Sequence, residues 1–140
     1  MFLKTYMCSM SIGFTDWCKV MIPIPVPPGF VIVPLPFLNI ALSCMAIPNI
    51  FNIFVSGLPS HNLLTITPIS IGNEVSAPLG GVVSQQFCGA QRNLTSSLKV
   101  FYGGAPVTRM LDVSGQNGFI PNWPLGMNVT PSQFKVMVLT

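Results

Sequence analysis

Residues able to do chemistry are few in this chain of 140 residues. There is one histidine, His61, and there are four cysteines, Cys8, Cys18, Cys44 and Cys88. The carboxylates are Asp16, Glu74 and Asp112. An acid–base pair or a nucleophilic triad would need these scattered groups to converge, because the adjacency of Ser60 and His61 says nothing about how their side chains meet. The remote catalytic reading is a hydrolase resting on Ser60, His61 and Asp112; the expectation is that the chain is not an enzyme. The first ten residues lack the apolar core of a secretory signal, so the chain is expected to be made in the cytoplasm. Its thiols then begin in a reducing compartment, as inert core groups or as metal ligands. No Cys-x-x-Cys knuckle is present.

The elements that must position these groups come from a chain with 6% charged residues, against roughly 25% in an ordinary soluble domain. The 54 residues from Val20 to Asn73 contain no Asp, Glu, Lys or Arg. They carry prolines at Pro23, Pro25, Pro27, Pro28, Pro34, Pro36, Pro48, Pro59 and Pro68. Proline removes a backbone donor and clashes with the preceding helical turn. A membrane-spanning helix is therefore excluded, and the run is expected to be extended. So little charge cannot coat a free monomer in the ordinary way. Either a partner covers much of the surface, which is the favoured expectation, or neutral Asn, Ser, Thr and Gln coat it. The six basic residues, Lys4, Lys19, Arg92, Lys99, Arg109 and Lys135, form no cluster, so nucleic-acid binding is not expected.

Val, Ile, Phe, Thr, Gly and Pro predict an all-β fold of short strands and tight turns. Strands are predicted at 31–33, 53–55, 65–67, 98–102 and 134–139, with partial alternation at 62–67 and 94–100. The segment 38–46 is the one most open to a helical reading. Gly80-Gly81 ahead of Val82-Val83 reads as a bend entering a strand. It is not a phosphate loop, since no Lys-Ser/Thr follows. An internal echo joins Ile53-Phe54-Val55-Ser56-Gly57-Leu58-Pro59 to Val100-Phe101-Tyr102-Gly103-Gly104-Ala105-Pro106, 47 residues later. It continues with Leu63-Leu64 against Met110-Leu111. Glycine supplies the positive φ of a tight hairpin, and two such copies predict pseudo-symmetric hairpins. The aromatic and methionine side chains (Phe30, Phe37, Phe51, Phe54, Phe87, Phe101, Met21, Met45) are expected in the core more than round a ligand, with some of them reaching the base or the surface. Asp112 with Arg109, and Glu74, are expected to satisfy turns.

Four blocks in order resemble the PAAR-like proteins of type VI secretion and related contractile injection systems. Asp16-Trp17-Cys18-Lys19 leads through the proline run to Pro36-Phe37-Leu38-Asn39-Ile40-Ala41. Gly57-Leu58-Pro59 follows, and then Ile71-Gly72-Asn73-Glu74 through Gly80-Gly81-Val82-Val83-Ser84. The last block is Val100 to Asp112, with Gly104, Pro106 and Arg109, followed by Asn117. Ser114-Gly115-Gln116 departs from the His or acidic residues usual near that block.

The resemblance implies a small conical β-structure, non-enzymatic, that caps a trimeric VgrG-type spike, one tip per trimer. Such a tip pierces a target membrane and helps load effector proteins. It would be made in the bacterial cytoplasm and leave on the injection apparatus. The resemblance also implies zinc near the point, for which Cys18, Cys44, His61 and Cys88 are the candidate ligands. The domain is expected at residues 16–118, after an extension at 1–15 that includes a doubtful start, and before a tail or added strand at 119–140. Trp17 and Trp123 flank it as candidate anchors on a partner. The rival reading is a small β-rich binding module for an apolar ligand or lipid.

Overall fold

The computed structural model describes residues 1–47 and 50–139; Pro48, one of the prolines of the charge-free run, lies outside them. The fold is all-β. Its strands are β1 Met10–Pro23, β2 Phe30–Leu42, β3 Phe54–Val55, β4 Leu58–Pro59, β5 Ile66–Thr67, β6 Gln91–Asn93, β7 Phe101–Tyr102, β8 Ala105–Pro106, β9 Val113–Gln116 and β10 Trp123–Asn128. One antiparallel sheet has the order β2-β1-β10-β9-β6-β5, and β3-β4 and β7-β8 are two-stranded hairpins.

The proline-rich run is extended, as its composition requires. β1 and β2 are 14 and 13 residues long and pair from Met10↔Leu42 to Pro23↔Phe30. Pro34 and Pro36 lie in β2, the edge strand, where a missing N–H costs a sheet least. The segment 38–46 is not helical beyond one short turn: Leu38–Leu42 belong to β2, and only Ser43–Met45 form a 3-10 turn. The last backbone hydrogen bond from β1 to the body of the molecule runs from Lys19 N–H to Gly80 O. Beyond it the paired strands project as an arm. Its apolar side chains Met21, Ile22, Val26, Phe30, Val31 and Ile32 are all exposed.

Burial reverses the usual order. Among the described residues, nine apolar residues are buried against 27 polar or charged ones, while 36 large apolar side chains are exposed. The inward positions of the main sheet include Ser11, Asp16, Asn39, Gln91, Asn93, Ser114, Gln116 and Asn128. A buried polar group is tolerable when it is hydrogen-bonded, and here short amides and hydroxyls tie one chain crossing to the next. A register shift between Gly13 and Asp16 changes which residues of β1 face inward. Ser11 and Gly13 are buried before it, and Asp16, Cys18 and Val20 after it.

Several expectations are thereby corrected. Phe30, Phe51, Phe54, Phe87, Phe101, Met21 and Met45 point outward, because the interior between closely spaced crossings is taken by smaller polar groups. Most Asn, Ser, Thr and Gln side chains are among those buried groups and do not form a surface coat. Of the predicted strand 98–102 only Phe101–Tyr102 forms, and 134–139 contributes one bridge, Met137↔Phe2. Gly81 does not enter a strand: after one bridge to Cys18 the chain turns, with Gly81 N–H bonded to Gln86 O and Gln85 N–H to Gly81 O. Residues 1–9 are woven into the body, with Leu3, Lys4 and Thr5 all buried.

Candidate functional site

The repeated sequence folds into repeated geometry. In β3-β4 the pairs are Phe54↔Pro59 and Val55↔Leu58; in β7-β8 they are Phe101↔Pro106 and Tyr102↔Ala105. Each hairpin turns through two residues of positive φ, Ser56 (56°) with Gly57 (81°), and Gly103 (61°) with Gly104 (79°). That is the two-residue turn whose twist matches paired strands, and it explains the glycines.

A third copy, which the sequence echo does not contain, is assembled from the two ends of the chain. Met137 pairs with Phe2, in the place of Phe54↔Pro59 and Phe101↔Pro106. The hydrogen bond following each pair is repeated three times. Ser60 N–H binds Ile53 O (3.1 Å), Val107 N–H binds Val100 O (3.0 Å), and Leu3 N–H binds Val136 O (3.1 Å).

Two residues past each pair, the three crossings close into a ring. His61 N–H binds Lys4 O (3.0 Å), Lys4 N–H binds Thr108 O (3.0 Å), and Thr108 N–H binds His61 O (3.4 Å). A second cycle lies two residues further on. Tyr6 N–H binds Pro59 O (3.0 Å), Leu63 N–H binds Pro106 O (2.9 Å), and Met110 N–H binds Phe2 O (2.8 Å). One chain thus makes a three-fold arrangement from unlike sequences. On its outside Phe54, Phe101 and Met137 stand at equivalent positions, 59%, 60% and 56% exposed.

Inside the ring the side chains of Lys4, His61 and Thr108 are buried. Burial lowers the pKa of His61 to about 3, with the Lys4 charge adding to the effect, and His61 Nε2 has no hydrogen-bond partner. Burial also lowers the pKa of Lys4 to about 7, against an opposing pull from Asp112. Lys4 Nζ donates to Ser11 Oγ (3.0 Å) and Asn128 Oδ1 (2.6 Å). Asp112 accepts from Arg109 N–H (2.6 Å) and pairs with its guanidinium (3.1 Å). Glu74 accepts from Gly72 N–H (3.0 Å), so both turn roles expected of the carboxylates are present.

Along β1, away from the ring, the second buried cluster is centred on Asp16. Its Oδ2 accepts from the amides of Asn39, Asn117 (2.9 Å) and Asn73 (3.3 Å) and from the Cys18 thiol (3.3 Å). Its Oδ1 accepts from Asn122 Nδ2. Asn73 and Asn117 also point amide hydrogens at Cys18 Sγ, at 3.3 and 3.6 Å. Their own oxygens take Cys88 N–H and Gly89 N–H. Sequence reasoning passed over these asparagines because neutral amides carry no ligand or catalytic signature; Asn39, Asn73 and Asn117 lay inside the quoted blocks without an assigned role.

The candidate zinc ligands meet different surroundings. Cys18 sits among amide donors, and its pKa is raised to about 11, chiefly by burial. His61 is in the ring, Cys44 lies beside Cys8, and Cys88 near Glu74. Among the described residues no three His, Cys, Asp or Glu side chains gather as a metal set, and amide N–H donors cannot replace ligands. Ser60, His61 and Asp112 are closed to solvent, and Asp112 is engaged by Arg109, so no substrate reaches them as a triad. Trp17 is exposed and Trp123 half-buried in β10.

No helix among the described residues is long and apolar enough to cross a membrane. Neither a curated protein nor a solved structure matches the chain. A family model does match, over residues 9–122, a span that takes in the Asp16 cluster, both sequence-encoded hairpins and two of the three ring crossings. The chain belongs to the toxin PAAR-like domain family.

Proposed function

We propose that this chain is the non-enzymatic tip of a contractile puncturing device, seated on a trimeric VgrG-type spike with one tip per trimer. The observation that supports this most is the three-fold base. A monomer binding on the axis of a trimer must offer three like surfaces to three identical subunits. Here three equivalent strand pairs present Phe54, Phe101 and Met137 at matching positions with matching exposure. An apolar exterior with so little charge also needs covering, which such a seat supplies.

The arm supports the puncturing half of the reading. From Ser11, beside the Lys4 ring, to Pro23 the strand spans about 40 Å. The arm is thus carried away from the base, and its side chains Val20–Val33 hold no charge to oppose entry into a bilayer. Effector loading and release from the cytoplasm with the apparatus complete the reading. The rival module for an apolar ligand would use a cavity; among the described residues the most apolar lining belongs to an open groove of about 270 Å³ formed by Ile47, Leu64, Ile66, Pro68, Ala90 and Phe119.

The test is co-expression with a candidate trimeric spike, imaging of the complex, and substitution at the base. Each Phe exposes about 60% of its side chain, so covering it buries roughly 120 Å² and contributes about 3 kcal/mol. Phe54→Ser or Phe101→Ser should therefore weaken the complex by about two orders of magnitude. Three tips per trimer, or undiminished binding in both variants, would overturn the proposal.

A further inference from the structure

The antiparallel register of β1 and β2 carries a consequence at its open end. Met10 pairs with Leu42, Ser11 with Ala41 and Ile12 with Ile40. Just outside this register Ser9 meets Ser43, and Cys8 and Cys44 are the next residues, Cys44 within the Ser43–Met45 turn. The Ser9–Ser43 meeting is held by hydrogen bonds. Ser43 N–H binds Ser9 O (2.9 Å), and Ser9 N–H binds Ser43 Oγ (2.8 Å). Ser43 Oγ in turn donates to Met7 O (2.6 Å), so the chain on either side of Cys8 is tied to the residue before Cys44.

The 3-10 turn ends the ladder there, and the bonds that tie Ser9 and Met7 to Ser43 hold Cys8 against that turn, beside Cys44. The two thiols interact in the structure: the contact with Cys8, more than burial, raises the Cys44 pKa. Cys8 is exposed and Cys44 partly so, whereas Cys18 is fully buried.

We propose that Cys8 and Cys44 form an intramolecular disulfide when the chain meets a small disulfide oxidant. The exposed Cys8 thiolate attacks a sulfur of oxidised glutathione, forming a mixed disulfide and releasing one glutathione thiolate. The Cys44 thiolate then attacks the Cys8 sulfur, closing the protein disulfide and releasing the second glutathione. Two protein thiols lose two electrons and two protons, and one glutathione disulfide becomes two thiols. The clasp would lock residues 1–8, which supply Phe2 to the third strand pair and Lys4 to the ring, onto the body of the molecule. In a reducing compartment the clasp stays open; outside one it closes.

The test is incubation of the whole chain with oxidised glutathione, then alkylation and mass spectrometry of non-reduced peptides. Titratable thiols should fall from the four free cysteines to two, with a Cys8–Cys44 peptide that dithiothreitol reverses. Cys8→Ser and Cys44→Ser should each abolish that peptide, and the oxidised wild type should melt several degrees above Cys8→Ser. Persistent glutathione adducts on both residues, linkage through Cys18 or Cys88, dimers through Cys8, or no loss of thiols would each overturn it.

Discussion

Replacing Asp16 by Asn is the most direct probe of a polar interior. The side chain keeps its shape and loses one acceptor oxygen. Every partner of Asp16 is a donor: the amides of Asn39, Asn73, Asn117 and Asn122, and the Cys18 thiol. In the better of its two orientations the new amide turns its oxygen to Asn39, Asn73, Asn117 and the Cys18 thiol and its NH2 to Asn122. The three amide bonds to a charged acceptor then become bonds to a neutral one, at about 1 kcal/mol each, and the weak thiol donor adds little. The Asn122 contact becomes donor against donor, costing about 1–2 kcal/mol more, softened by the bond Asn122 keeps to Trp17 O (2.8 Å). The expected loss is about 4–5 kcal/mol, a large part of a typical domain's 5–15 kcal/mol. In urea this is a midpoint lowered by about 2 M at unchanged slope. A loss under about 1 kcal/mol would refute the claim that these hydrogen bonds organise the interior.

Two further outcomes follow from the buried ring and the Asp16 cluster. The pKa of His61 is about 3 in the fold against about 6.5 when unfolded, so the native state takes up fewer protons. Stability should fall as pH drops from about 6.5 toward 3, by up to about 5 kcal/mol, and His61→Gln should flatten that limb of the pH–stability curve. An equal acid limb in the variant would refute the assignment. The donor set around Cys18 predicts substoichiometric zinc in chain purified without chelators; one zinc per chain, lost in Cys18→Ser, would refute it.

Much of the architecture was legible in the chain. Proline spacing ruled out a membrane-spanning helix in the run Val20 to Asn73, and both hairpins followed from the glycines, because a two-residue turn demands positive φ at fixed positions. The four ordered blocks pointed to the family that the model match establishes. The candidate site was legible only in part. The third strand pair joins Phe2 to Met137, residues from opposite ends of the chain, and no local pattern encodes such a meeting. The zinc candidates were chosen by residue type, whereas the groups gathered round Cys18 are asparagines.

Sequence by itself determined that this chain would be extended, rich in turns and poor in charge. It determined these things because they depend on backbone restriction and composition, which act locally. Tertiary structure decided which side chains face inward. A one-residue change of parity at the Gly13–Asp16 irregularity turns Asp16 and Cys18 into the interior and leaves Phe14 and Trp17 outside. Closing three crossings into one ring buries Lys4, His61 and Thr108, short amides close round Asp16 further along β1, and the large apolar groups face out.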